Sequence, residues 1–219
     1  LFDRSKKEVR YLADVAPDIA ALPLERMEPF SFVSTDGLKI HGLFTPGVAG
    51  GIKGSVTIAH GGPHGPYDPW MYRSGVHFFS QLGYNVIQVN FRGSGGFGRN
   101  FEEAGYLEWS GKMIDDIIEG TRFISDQKNL PDARCIYGGS YGGFAAASAA
   151  FRYPDFFDCA AGHVGVYDMA LMYSTGDIED RKSGIDYLNR VLGADKEKRR
   201  RDSPVNNVEK IEIPMLLTH

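Results

Sequence analysis

The chain has 219 residues, 42% of them apolar and 12% aromatic, which suits one sizeable folded domain and excludes a disordered chain. Its 24 basic and 28 acidic side chains leave a net charge of -4, against a general nucleic-acid binder. No stretch approaches the roughly eighteen apolar residues of a membrane-spanning helix.

In chain order, residues 1–3 and 8–12 read as a small hairpin, and 14–29 as a linker. Segments 30–34 and 38–44 flank Thr35-Asp36-Gly37, a second hairpin signal. A glycine-rich loop, 46–54, precedes an apolar strand over 55–59 that ends on His60-Gly61-Gly62-Pro63. Periodicity predicts a helix over 70–82 capped by Gly83, then a strand over 84–90 leading into a 92–98 glycine loop. Met113, Ile114, Ile117, Ile118, Thr121 and Ile124 fall at helical spacing, in a helix that stops before Pro131. A strand over 134–137 leads through Gly138-Gly139-Ser140-Tyr141-Gly142-Gly143 into an alanine-rich helix ending near Phe151. A strand over 159–164, a helix over 185–192 and a strand over 213–218 complete the chain. The rhythm is that of an α/β chain: an open, mostly parallel sheet with helices on both faces. Ligands on such sheets bind at the carboxyl ends of strands. Glycine is in excess, 27 of 219, and three of its clusters fall at those ends.

Gly138-Gly139-Ser140-Tyr141-Gly142 fits G-x-S-x-G, in the strand-to-helix context that a nucleophile elbow requires. A serine on so sharp a turn needs tiny neighbours two residues to either side, and both are glycine. Attack on a carbonyl creates an oxyanion that needs preorganised donors. The Tyr141 N–H is one; Gly62, on the loop after the 55–59 strand, supplies the other. His60 reads as a residue that orients this loop through backbone hydrogen bonds, and His64 as its rim. His60, His64 and His77 lack a carboxylate or cysteine at ligand spacing, so no metal is expected.

Gly93-Ser94-Gly95-Gly96-Phe97-Gly98 also matches a dinucleotide fingerprint. Preceding strands, the adjacent Glu102 and Glu103, and acidic residues inside a helix at Asp115 and Asp116 speak against a nucleotide, and no cofactor is expected. Cys135 and Cys159 are too few for a disulfide scaffold and read as buried free thiols. Lys196, Lys198, Arg199, Arg200 and Arg201, flanked by Asp195, Glu197 and Asp202, read as a solvated helix end.

With these loops in hand, the chain resembles the prolyl oligopeptidase family of serine peptidases, on the acylaminoacyl-peptidase and dipeptidyl-peptidase side. The matching pieces are His60-Gly61-Gly62-Pro63, Asn90-Phe91-Arg92 with the glycine loop behind it, Gly138 to Gly143, Ser203-Pro204, and Ile213 to His219. The resemblance implies an α/β-hydrolase fold over 30–219. Residues 1–29 would be the remnant of a preceding β-propeller plus a linker. It implies Ser140 as nucleophile, Tyr141 and Gly62 as oxyanion donors, and Arg92, Met169 and Met172 as pocket-lining residues. The implied partners are a short peptide substrate and the propeller of the same parent chain; a homo-oligomer is left open, and neither nucleic acid nor membrane is expected. The compartment, cytoplasmic or periplasmic for a soluble protein, is undetermined.

In the resembled family the triad acid and histidine follow the serine, beyond the position of His219. The expectation is therefore a catalytic domain truncated at its C-terminus and inactive by itself. Asp168 follows a strand where some hydrolases place their acid, and His163 reads as a core histidine. Two other readings stand beside the peptidase: an esterase or lipase on the same fold, and a non-catalytic domain whose glycine loops only shape a surface.

Overall fold

The computed structural model describes residues 2–13, 17–50, 53–176 and 178–219. Leu1 of the first hairpin, residues 14–16 of the expected linker and residues 51 and 52 of the 46–54 loop lie outside the described residues.

β1 (Phe2–Asp3) and β2 (Glu8–Val9) pair antiparallel as a separate two-stranded sheet. A one-turn helix, α1 (Pro17–Ala20), leads to β3 (Glu28–Val33), which turns at Asp36-Gly37 into β4 (Lys39–Thr45). Then come β5 (Ser55–Ala59), α2 (Ser74–Gln81), β6 (Asn85–Asn90), α3 (Arg99–Glu103) and α4 (Lys112–Lys128). β7 (Arg134–Gly139), α5 (Tyr141–Arg152), β8 (Cys159–His163), α6 (Lys182–Val191), α7 (Lys196–Asp202) and β9 (Met215–Thr218) follow. Among the described residues, β3 to β9 form one seven-stranded sheet in the order β3-β4-β6-β5-β7-β8-β9. β3, β4 and β6 pair antiparallel, and every later pairing is parallel.

Side-chain alternation puts helices on both faces. Leu43 and Val86 point to one face and pack with Val76 of α2 and with Met27. Their chain neighbours Phe44 and Ile87 point to the other and pack with Ile124 of α4. The larger core lies on that second face, where Ile114 and Ile118 of α4 meet Phe144 and the alanines of α5. α4 stops where Asn129 takes a left-handed conformation, φ 51°, which asparagine tolerates.

Several expectations need correction. The helix expected over 70–82 starts only at Ser74, because Trp70 is held in the preceding loop by its indole N–H bond to Met27 O at 2.9 Å. The sheet begins at Glu28 rather than at residue 30, with Met27 already in the core. Cys135 and Cys159 are not free thiols: they sit opposite each other on β7 and β8 and form a disulfide. His163 is not a core histidine; it is exposed at the end of β8 and hydrogen-bonds Thr218. The basic run is a helix of its own, capped by Asp195, whose side chain accepts from the Lys198 N–H at 3.0 Å. One member is not solvated: Arg199 is buried, with its guanidinium 4.1 Å from the Tyr173 ring centre.

Candidate active site

β7 ends at Gly139 and α5 begins at Tyr141, so Ser140 alone makes the turn, at φ 56° and ψ -121°. A non-glycine residue there is strained by about 1–3 kcal/mol and persists only where its surroundings force it. Here the Ser140 N–H donates to His163 O at 2.9 Å, while Ser140 O accepts from the Gly143 and Phe144 amides at 3.0 and 3.2 Å. The small neighbours are required as well. A β-carbon on Gly138 would meet the Gly142 carbonyl at 2.5 Å, and one on Gly142 would collide with Ala59 O. Behind the turn, Ala145, Ala146, Ala147, Ala149 and Ala150 are all buried, which lets α5 lie close on the sheet. Ser140 itself is exposed.

Parallel pairing of β5 with β7 brings Ala59 level with Gly138, so the loop after β5 meets the elbow. A β-carbon on Gly61 would stand 3.4 Å from Ser140 Cβ. Among the described residues, neither the Gly62 N–H nor the Tyr141 N–H has a protein acceptor. The loop rests on a polar bed. His60 is 8% exposed, with Nδ1 2.8 Å from Gly61 O, Nε2 2.8 Å from Ser94 Oγ, and its ring stacked on Phe91 at 4.3 Å. Burial holds its imidazole below the usual histidine range. Asn90 fastens the far end of the loop: its Oδ1 accepts from the Asp68 N–H at 2.7 Å and its Nδ2 donates to Asp68 O at 3.1 Å. Burial pushes the Asp68 carboxyl up. His64 is half-buried rather than an open rim: it accepts from the Trp109 indole at 3.1 Å, and burial holds it at about 4.

The 93–98 glycines serve packing between loops. The Gly95 N–H donates to Pro66 O at 3.1 Å and the Gly65 N–H to Gly93 O at 3.3 Å, and a β-carbon on Gly95 would run into Gly65 O. Arg92, expected at a pocket wall, is 4% exposed and clamps two carboxylates. Nε and Nη2 each bond Asp116 at 2.8 Å, and Nη1 and Nη2 bond Asp36 at 2.7 and 3.1 Å. Its contribution to the site is to anchor the start of the loop. Met169 is sunk in the core with its N–H on Ser203 Oγ at 2.9 Å, and Met172 is half-buried beside that core. Asp168 is occupied by the Ala170 N–H. Asp36, Ser94 and Asp116 stood in the sequence only as a turn, a glycine fingerprint and an acidic helix residue; their partnerships with Arg92 and His60 could not be read there, since only the fold brings them together.

Six histidines occur in the chain, and among the described residues no side chain hydrogen-bonds Ser140 Oγ. His163 comes nearest in register, opposite Gly139, yet its ring turns to Thr218 Oγ1 at 2.9 Å. Among the described residues no cluster of three or more His, Cys, Asp or Glu could hold a metal ion, and no helix is long and apolar enough to cross a membrane. The arrangement presents an exposed hydroxyl next to the free Tyr141 amide, with the Gly61-Gly62 loop packed against its turn, a layout suited to attack on an acyl carbon.

Residues 70–219 match the prolyl oligopeptidase family. The dipeptidyl aminopeptidase BIII of Pseudoxanthomonas mexicana is 32% identical over 80% of this chain and 27% of its own length. The acylamino-acid-releasing enzyme 1 of Oryza sativa subsp. japonica is 28% identical over 97% of this chain and 28% of its own. Among solved structures, an acylaminoacyl peptidase in complex with Z-Gly-Gly-Phe-chloromethyl ketone superposes with a TM-score of 0.82 at 26% identity, over 95% of this chain and 34% of that one. The Pyrococcus horikoshii acylaminoacyl peptidase, at 24% identity and a TM-score of 0.83, shares the fold over 95% of this chain and 34% of its own. The chain thus spans little more than a quarter of the length of these curated relatives.

Proposed function

The chain belongs to the prolyl oligopeptidase family, and on that footing we propose that it bears the nucleophile of a serine peptidase acting on short peptides. The observation that carries this reading is the strained, exposed Ser140 next to the free Tyr141 amide, with the Gly61-Gly62 loop packed against its turn. Ser140 Oγ attacks the scissile carbonyl carbon and its proton passes to a base. The carbonyl oxygen takes the negative charge and accepts from the two N–H groups. The C–N bond then breaks, the amine leaves protonated, and water hydrolyses the acyl-enzyme. Each oxyanion donor contributes about 3–4 kcal/mol to such a step. Peptide substrates fit the names of the relatives, a dipeptidyl aminopeptidase and an acylamino-acid-releasing enzyme.

A serine without a base is a poor nucleophile. We assign the base to residues other than these 219, so that the 219-residue chain by itself does not turn over substrate. The β1–β2 hairpin, paired apart from the main sheet, is consistent with a propeller remnant ahead of a hydrolase domain that already includes Met27 and β3. Met172 remains the pocket-wall candidate with side-chain surface to offer.

The test is labelling of the full-length protein with a fluorophosphonate probe, followed by mass spectrometry. The expected outcome is one adduct, on Ser140, lost in Ser140→Ala, and hydrolysis of acyl-peptides. No adduct on Ser140 would overturn the reading, and turnover of p-nitrophenyl esters without any acyl-peptide cleavage would replace it with an esterase.

A further inference from the structure

The Gly61–Gly62 peptide is planar, so its C=O and N–H point in opposite directions. Whatever holds the Gly61 oxygen therefore aims the Gly62 N–H the other way. That holder is His60 Nδ1, at 2.8 Å from Gly61 O. A carbonyl can only accept, so the contact is a hydrogen bond only if Nδ1 carries the ring proton. Which nitrogen of a neutral imidazole carries it is set by the partner of the other. That partner is Ser94 Oγ, 2.8 Å from Nε2.

Ser94 is fully buried, and its hydroxyl has one proton with two acceptors in reach, Phe91 O at 2.7 Å and His60 Nε2 at 2.8 Å. Phe91 O does not depend on it, because the Ser94 backbone N–H already donates there at 3.0 Å. Directed to Phe91 O, that proton leaves Nε2 to carry its own and Nδ1 bare against Gly61 O; the 2.8 Å contact to Gly61 O selects the other arrangement, in which the proton goes to Nε2 and Phe91 O keeps the Ser94 N–H. Stacking on Phe91 at 4.3 Å removes the remaining freedom of the ring.

We propose that Ser94 is a positioning residue of the oxyanion loop: by donating to Nε2 it fixes His60 as the Nδ1–H tautomer, which holds Gly61 O and so aims the Gly62 N–H beside Ser140. The inference rests on the reading of Gly62 as an oxyanion donor. Without the hydroxyl, the proton is free to move to Nε2, a bare Nδ1 then faces Gly61 O, and two lone pairs repel at the point that sets the loop.

Two measurements on the full-length protein decide it. The first is the 15N spectrum of the His60 ring, assigned by its loss in His60→Gln. The wild-type protein is expected to show Nδ1 protonated and Nε2 bare, and Ser94→Ala to shift population to Nε2–H. The second is steady-state kinetics on an acyl-peptide. Ser94→Ala is expected to lower kcat about tenfold to a hundredfold, short of the full loss of a donor, with KM within about twofold, a split that mere loosening of a pocket would not give. An Nε2–H ring in the wild-type protein overturns the proposal, and so does a Ser94→Ala variant with wild-type kcat and an unchanged tautomer. Failure of the wild-type protein to label at Ser140 sinks the peptidase reading instead, and the ring spectrum still decides the role of Ser94.

Discussion

The amide of Ser140 donates to the carbonyl oxygen of His163 at 2.9 Å, so the turn bearing the serine is fastened to the neighbouring strand as well as to its own. Further back, the same two strands are joined by the Cys135–Cys159 bridge, which closes a sequence separation of 24. A loop of that size gives a bridge worth about 3 kcal/mol.

Reduction, or the Cys135→Ser, Cys159→Ser pair, is therefore expected to lower Tm by roughly 6–12 °C. Calorimetry with and without a reductant measures this, and thiol titration of the denatured, unreduced protein should find no free sulfhydryl. A full count of free thiols, or an unchanged Tm, would contradict the bridge.

The elbow makes a steric demand that substitution can probe. Gly142→Ala sets its methyl against Ala59 O, where backbone cannot yield without opening the β5–β7 edge. We expect a loss of 3 kcal/mol or more, on the order of severe overpacking, together with loss of Ser140 labelling. Gly139→Ala is the control, since its β-carbon would meet nothing closer than His163 O at 3.7 Å; it should keep wild-type stability to within about 1 kcal/mol.

Strain at Ser140 gives a test of opposite sign. At φ 56° glycine relieves what serine and alanine both bear, so Ser140→Gly should be more stable than Ser140→Ala by about 1 kcal/mol, though both are inactive. Equal melting temperatures for the two variants would remove the claim of strain.

The Arg92 guanidinium bound to Asp36 holds that carboxyl far below the usual aspartate range, with Lys112 and Ser34 adding to the effect. A depressed carboxyl stabilises the fold above its unfolded pKa, and that contribution is lost as pH falls through the folded value. Asp36→Asn should thus cost about 2 kcal/mol near neutrality, as for a charge-assisted hydrogen bond. The gap between variant and wild type should narrow steadily below about pH 4. A gap that stays constant from pH 7 to pH 2 would show that charge is not the cause.

The elbow was legible in the sequence because its determinants are local: a serine, its glycines, an apolar strand before and small residues after. The two-faced sheet was legible for the same reason, through the repeated strand–loop–helix rhythm and the periodicity in α4. The disulfide was not, since two cysteines in separate apolar runs reveal nothing until strand register sets them opposite each other. The Arg92 clamp joins residues 24 and 56 positions apart, beyond any local pattern. Apolar neighbours suggested a core site for His163, but the last residue of a strand emerges from the sheet. The α7 helix did leave a signal, an aspartate at its cap and Lys198 four residues before Asp202, while the burial of Arg199 depends on Tyr173, which only folding brings near.

Leu43 and Phe44 feed opposite faces of the sheet, as do Val86 and Ile87 on the neighbouring β6, where Ile87 lies opposite Phe44. Tolerance to insertion is consequently uneven along the chain. One extra residue inside β4 would reverse which side chains meet α2 and which meet α4 for the rest of that strand, whereas the same residue added at the exposed Ala194, between α6 and α7, only lengthens a surface connection. Variation in length among natural or engineered versions of this chain should accumulate in its loops and stop abruptly at Lys39 and Thr45, the limits of β4.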